Sequence, residues 1–277
     1  MINSVNDLNS KLLTERLSEL RLTDKINGIK HFFGQHRKCA LAFSGGVDSS
    51  FLLYAGLQFG ADIRPYYIKT AFQPAFEFND ATATARLLGI NNTVLYADIL
   101  SVPRVATNPS DRCYCCKQAI FKMIIEKAAA DGYTLVIDGT NASDDAADRP
   151  GMRALKELSV VSPLRACGFT KKEIRAVLRE AGLSIWDKPA YSCLATRIDA
   201  GNIITAEMLS HVEKAEETLF SLGFSDFRVR INRDAARLQF TKAQADKAND
   251  MKTDIINRLK PFLESINPKF EIRVSHE

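Results

Sequence analysis

The spacing of apolar positions changes several times along the chain. Up to about residue 37, Leu8, Leu12, Leu13, Leu17 and Leu20 recur at helical intervals and predict two amphipathic helices. Cys39-Ala40-Leu41-Ala42-Phe43 is an unbroken apolar run, as expected of a strand buried on both faces. A helix is predicted from Ser49 to Phe59, closed by Gly60. Strand and helix signals then alternate: a strand from Arg64 to Ile68, a helix from Asn79 to Leu88 stopped by Gly89, and a strand from Thr93 to Ala97. A helix from Cys116 to Ala130 and a strand from Thr134 to Asp138 follow, then a helix beginning near Thr170 with a Thr170–Glu173 capping box and ending at Gly182. This alternation predicts an α/β unit, a parallel sheet with helices on both faces.

Past Arg197 the rhythm changes. A long helix from Glu207 to Leu222 precedes strands from Asp226 to Ile231 and from Ala236 to Phe240, helical sequence from Lys242 to Ser265, and a last strand from Phe270 to Val274. The expected organisation is therefore N-terminal helices over residues 1–37, an α/β domain over 38–200 and a smaller C-terminal α+β domain over 201–277.

Composition narrows the class. Of 277 residues, 46% are hydrophobic and 25% charged, values that suit a globular chain with a substantial core. The N-terminus has no basic segment followed by an apolar core, and no apolar stretch is long enough to span a bilayer, so the expected compartment is the cytoplasm, with no membrane partner. The net charge of +4 suits an anionic ligand, but no concentrated Lys/Arg stripe with aromatics marks a nucleic-acid surface.

Ser44-Gly45-Gly46-Val47-Asp48-Ser49-Ser50 joins the first strand to a helix, the context of a phosphate cradle. Paired glycines let backbone N–H groups turn inward, the helix N-terminus adds partial positive charge, and the hydroxyls of Ser44, Ser49 and Ser50 can donate to phosphate oxygens. No Gly-Lys-Ser/Thr follows, which excludes a Walker A loop. The bland reading is an ordinary strand-to-helix turn. A second segment, Asp138-Gly139-Thr140-Asn141-Ala142-Ser143-Asp144-Asp145, begins where another strand ends, so it can face the first loop. Asp138, Asp145 and Asp148 offer hard oxygen ligands for Mg²⁺, and Arg149 can steer a phosphate or carboxylate. Read blandly, the acids only keep a turn soluble.

Six cysteines stand at positions 39, 113, 115, 116, 167 and 193. Cys113 and Cys116 have the Cys-x2-Cys separation that lets two thiolates share a metal centre, and Cys193 can supply a third. Three thiolates suit a [4Fe–4S] cluster with one open iron; structural zinc wants a fourth ligand. Alternatively one cysteine is a persulfide carrier or sulfur donor, activated by Arg112 and Lys117, or all are inert buried thiols. For Cys39 and Cys167 the inert reading leads.

These residues come in an order with a specific resemblance. The Ser-Gly-Gly-Xaa-Asp-Ser loop resembles the PP-loop of ATP pyrophosphatases, which split ATP between the α and β phosphates. Adding Asp138-Gly139-Thr140-Asn141, Asp148-Arg149-Pro150-Gly151, Ser162-Pro163-Leu164, Trp186-Asp187-Lys188-Pro189-Ala190 to Cys193 and Arg197, and Phe227-Arg228-Val229-Arg230, the chain resembles the LarE-type ATP-dependent sulfur transferases from about residue 38 to 240.

That resemblance implies an adenine nucleotide alpha-hydrolase-like fold and adenylation of a pyridinium biscarboxylic acid mononucleotide, followed by conversion to a thiocarboxylate in nickel-pincer nucleotide biosynthesis. It implies ATP contacts from Ser44, Gly45, Gly46, Val47, Asp48, Ser49, Ser50, Lys69, Gly139 and Thr140, and Mg²⁺ at Asp48 and Asp145. Cys193, Asp48 and Arg197 would be catalytic, and Arg149, Arg228 and Arg230 would bind substrate. Cys113, Cys116 and Cys193 match the three-cysteine kind that carries a [4Fe–4S] cluster; other members sacrifice a cysteine sulfur. A sulfide or persulfide donor and a homo-oligomer are further expectations. Competing readings are a PP-loop tRNA thiolase, an amide ligase of the GMP- or NAD-synthetase kind, and a nucleotide-sensing module without turnover.

Overall fold

The computed structural model describes residues 22–144, 150–232, 235–263, 267 and 270–273. The leucines that mark the two expected N-terminal helices lie outside them; within the remainder of that segment the chain forms α1, Thr23–Gln35. The chain forms two compact units, one of residues 1–69, 75–97 and 113–188, the other of 70–74, 98–112 and 189–277.

In the first unit, β1 (Lys38–Ala42) leads into α2 (Val47–Gln58), β2 (Asp62–Lys69), α3 (Ala75–Leu87) and β3 (Thr93–Tyr96). The helix α4 (Arg112–Ala130) and β4 (Val136–Asp138) follow, then α5 (Pro150–Glu157), α6 (Pro163–Ala166) and α7 (Lys171–Glu180). All four strands are parallel, in the order β3-β2-β1-β4. Alternate strand residues feed two cores. Cys39, Leu41, Ile63, Tyr67 and Ile137 pack with Ile29, Phe33, Phe51, Leu52 and Val177 of α1, α2 and α7. Ala40, Tyr66, Ile68 and Val136 pack with Phe121, Ile124 and Leu155 of α4 and α5. Burial on both faces is why the inner strand β1 reads as a continuous apolar run. The predicted capping box is present at the start of α7, with Thr170 and Glu173 satisfying each other's backbone N–H groups.

Three differences from the expectation have local causes. α4 begins at Arg112, not Cys116, so the cysteine cluster lies on the helix instead of ahead of it. α5 was not foreseen because Pro150-Gly151 reads as a turn; Pro150 occupies the first helical position, where its missing N–H costs nothing. The helical stretch expected from 242 is broken into a short turn and two helices, Ala245–Asp250 and Lys252–Leu259.

In the second unit, α8 (Ala206–Ser221) packs on a small sheet of β5 (Arg228–Ile231), β6 (Ala236–Thr241) and β7 (Glu271–Arg273). β5 and β6 are antiparallel and β6 and β7 parallel. Leu219, Phe224, Phe227, Val229, Leu238, Phe240 and Ile255 form its core. Among the described residues, no helix is long and apolar enough to cross a membrane.

Candidate active site

The sheet order places β1 between β2 and β4, so the loops leaving β1 and β4 emerge side by side at the carboxyl edge, where parallel sheets bind ligands. The two loops touch. A Cβ on Gly139 would stand 2.8 Å from the backbone nitrogen of Ser49, a separation that excludes any side chain. Gly45 is equally constrained: its φ is +71°, and a Cβ there would lie 2.5 Å from both Cα and Cβ of Ala81 on α3.

Within the first loop, Ser44 and Ser49 hydroxyls are 3.1 Å apart and Ser49 Oγ donates to the Gly46 carbonyl at 3.2 Å. Gly46 N–H donates to Ser44 Oγ at 3.3 Å. Gly46 is the N-cap of α2 and has no side chain to cap it, so the leading amides of that helix face the loop without a side-chain acceptor. Val47 is buried in the core, and Ser50 is fully buried with an unpartnered Oγ.

Asp48 is the electrostatic centre. Lys171 Nζ donates to its Oδ2 at 2.6 Å, whereas Oδ1 is buried and has no hydrogen-bond partner. Burial raises the Asp48 pKa above its ordinary value and Asp144 adds to the rise; Lys171 opposes it, and Asn141 does so more weakly. An orphaned carboxylate oxygen beside open amides is a hard donor suited to Mg²⁺.

A second cation stands at the other end of the loop. Lys188 Nζ lies 3.4 Å from the Gly45 carbonyl, 3.4 Å from Glu77 and 3.2 Å from Asp80. Burial raises the pKa of Glu77, and Lys188 counters it. Lys171, Lys188, Glu77 and Asp80 were not singled out from sequence as site residues. The partners lie 123 and 143 positions from the loop, and a lone lysine has no periodic signature.

The second loop is organised by Asp138, which accepts from Ser162 Oγ at 2.6 Å and from the Thr140 hydroxyl. Each of its oxygens thus accepts one hydrogen bond, which braces the loop. Asp145, Asp148 and Arg149 lie outside the described residues. Lys69 ends β2 at the same carboxyl edge, its carbonyl accepting from Ala97 N–H at 3.0 Å.

Cys113 and Cys116 fall in the first turns of α4, three positions apart and so on one side of the helix, with Cys113 exposed and Cys116 half-buried. Among the described residues, no three His, Cys, Asp or Glu side chains converge as a metal-binding group. Cys39, in the central strand, is pushed up to about 12, first by burial and then by Asp62. Trp186 packs against the first core.

In the second unit, Cys193 is half-buried at the head of a 3-10 turn, Leu194–Arg197. Arg197 is fully buried and paired with Glu216 at 2.8 Å. Arg228 is buried too, over the Tyr191 ring at 5.7 Å; burial and then the like charge of Arg197 bring it down to about 10. Arg230, half-buried, donates to Gln239 at 2.9 Å.

A parallel sheet with helices on both faces and a Ser-Gly-Gly-Val-Asp-Ser loop entering a helix from an inner strand is the arrangement of the PP-loop class of α/β proteins. No family model matches the chain. An uncharacterized protein of Synechocystis is 36% identical over 226 residues, covering 80% of this chain and 84% of that one. An uncharacterized protein of Methanocaldococcus jannaschii is 30% identical over 236 residues, covering 85% and 90%. The pyridinium-3,5-bisthiocarboxylic acid mononucleotide synthase of Lactiplantibacillus plantarum is 32% identical over 210 residues, covering 75% and 76%. The chain belongs to the family of that synthase, the LarE family.

Proposed function

We propose that this protein is an ATP-dependent sulfur transferase acting on a carboxylated pyridinium mononucleotide. The observation that carries the reading is the junction of the two loops, where uncapped helix amides, a Gly45 with no room for a side chain and an unpartnered Asp48 oxygen meet. The L. plantarum relative is a synthase of a pyridinium bisthiocarboxylic acid mononucleotide, which supports the corresponding carboxylic acid as the acceptor.

In this reading, the amides of residues 45–49 and the hydroxyls of Ser44 and Ser49 hold the β and γ phosphates of ATP, with Lys69, Gly139 and Thr140 completing the nucleotide contacts. Asp48, with Asp145, holds Mg²⁺, which when bound screens the polyphosphate charge. Lys171 and Lys188 balance the carboxylates around the loop. A carboxylate oxygen of the substrate attacks the α phosphorus, the bond to the bridging oxygen breaks, and pyrophosphate leaves. The acyl-adenylate then has AMP as a leaving group, which a bare carboxylate lacks. The Cys193 thiolate attacks the acyl carbon and the carbon–oxygen bond to AMP breaks; loss of the Cys193 Cα hydrogen as a proton then cleaves its Cβ–Sγ bond, which leaves the thiocarboxylate and a dehydroalanine. Arg149, Arg228 and Arg230 anchor the substrate's anionic groups. In the alternative form of the proposal, Cys113, Cys116 and Cys193 would hold a [4Fe–4S] cluster and Cys193 would be a ligand instead of the nucleophile; the sequence resemblance and the shared helix side of the first two support it.

The test is pyrophosphate release from ATP by purified protein with and without pyridinium-3,5-biscarboxylic acid mononucleotide. Release should require the nucleotide acid and disappear in Asp48→Ala. Unchanged release in that variant, or loss of the γ-phosphate instead, refutes the assignment. In the same preparations, made anaerobically, stoichiometric iron and sulfide would support the cluster. A mass loss of about 34 Da per turnover without iron would place the lost sulfur on a cysteine thiol.

A further inference from the structure

The turn that carries Cys193 is held by its neighbours on both sides. The Cys193 carbonyl accepts from Thr196 N–H at 3.0 Å and from Thr196 Oγ1 at 2.8 Å. Thr196 Oγ1 in turn accepts from Arg197 Nη1 at 2.8 Å, and the same nitrogen donates to Ser192 Oγ at 2.7 Å. The residue before Cys193 and the residue three after it therefore converge on one guanidinium nitrogen.

That guanidinium is itself fixed. Arg197 is 0% exposed; its Nε and Nη2 donate to the two oxygens of Glu216, itself 1% exposed, at 2.8 and 3.2 Å. The ring of Tyr191 lies 4.7 Å from the guanidinium, and the Tyr191 hydroxyl donates to Glu216 as well. Glu216 belongs to α8 and also accepts from Val229 N–H of β5 at 3.0 Å, so the turn is tied to both layers of its unit. On the opposite flank, buried Arg112 donates to the Ala195 carbonyl at 2.7 Å, and Leu194 N–H donates to the Phe72 carbonyl at 2.9 Å.

A fully buried Arg–Glu pair is a poor source of stability, because desolvation offsets most of its attraction. It is a good source of fixed geometry, since each bidentate hydrogen bond has a narrow angular range. Sulfur transfer to an acyl carbon needs such geometry: misplacing a reacting atom by about 1 Å can cost 10²-fold in rate. Arg197 has no surface with which to touch a substrate. We propose that Arg197, acting through Ser192 and Thr196 and fixed by Glu216, is a positioning residue that sets the Cys193 sulfur for attack. This rests on the reading of Cys193 as the residue that delivers sulfur, and it replaces the direct catalytic role expected for Arg197.

The experiment separates the two half-reactions. In Thr196→Val, which removes the hydroxyl linking Arg197 to the Cys193 carbonyl, single-turnover thiocarboxylate formation should fall about tenfold. Substrate-dependent pyrophosphate release and the KM for ATP should stay at wild-type values. Ser192→Ala, at an exposed position, should show the same split more weakly and serves should the valine variant fail to fold. Wild-type thiocarboxylate formation in both variants overturns the proposal, as does an equal loss in both half-reactions. Product formation at the wild-type rate by Cys193→Ala would instead sink the underlying reading of Cys193.

Discussion

Gly45→Ala tests the glycine loop, and the phosphate cradle proposed for it, at its tightest point. The residue has φ +71°, and an added methyl would stand 2.5 Å from Ala81 Cα and Cβ. A left-handed backbone costs a non-glycine residue about 1–2 kcal/mol. Forcing a methyl group against packed backbone costs about 1–3 kcal/mol more, because helix α3 cannot rotate a side chain out of the way. The sum, about 2–5 kcal/mol, corresponds to a melting temperature lowered by roughly 10 °C. Gly60 supplies the control: its φ is also +71°, yet nothing lies within 4 Å of its added Cβ. Gly60→Ala should therefore show backbone strain alone, about 1 kcal/mol, and keep full ATP affinity. Thermal denaturation and nucleotide-binding calorimetry on the two variants read the difference directly. Equal melting temperatures for the two, with ATP affinity retained in Gly45→Ala, would refute the argument that Ala81 fixes the loop.

Two further outcomes follow from buried charge. Because burial raises the Asp48 pKa above 3.8, the Mg²⁺ role proposed for it should fail on acidification at a higher pH than for an ordinary carboxylate, visible as the acid limb of kcat/KM for MgATP. By linkage the raised native value makes the fold bind the extra proton, so stability should decline as pH rises from 3.8 through that value, and Asp48→Asn should flatten the slope in pH-resolved denaturation. Arg197→Met leaves Glu216 buried without its cation and should cost about 3 kcal/mol in chemical denaturation, the lower end for a broken buried pair because Arg228 still acts on that carboxylate. An unchanged midpoint would show that the pair contributes nothing to the fold.

The first strand was legible because Cys39–Phe43 is largely buried on both faces and so lacks polar interruptions, and the others because short apolar runs are bounded by glycine turns. The glycine loop was legible for the same local reason: its residues contact one another. Partnerships that span the chain were not. Lys171 reaches Asp48 and Lys188 reaches Gly45 through tertiary packing that no periodicity encodes. Segments 70–74 and 98–112 join the C-terminal unit through backbone contacts such as Leu194 to Phe72 and Gly201 to Asn108, which again leave no compositional trace. The start of α4 was obscured because cysteine has low helix propensity and the thiol cluster suggested a loop. Arg197 appeared catalytic from its place in a motif, whereas its depth of burial is a property of the folded unit.

Cys39 has a consequence for any chemistry that moves sulfur. With its thiol held at about 12 against an ordinary 9.0, the fraction ionised at neutral pH is about a thousandfold below that of an unperturbed cysteine. The central strand can therefore keep a compact apolar cysteine without that residue being alkylated, oxidised or drawn into exchange. Brief labelling of the native protein should leave Cys39 as an internal blank, against which the reactivity of the thiols on α4 and at the turn of the second unit can be measured.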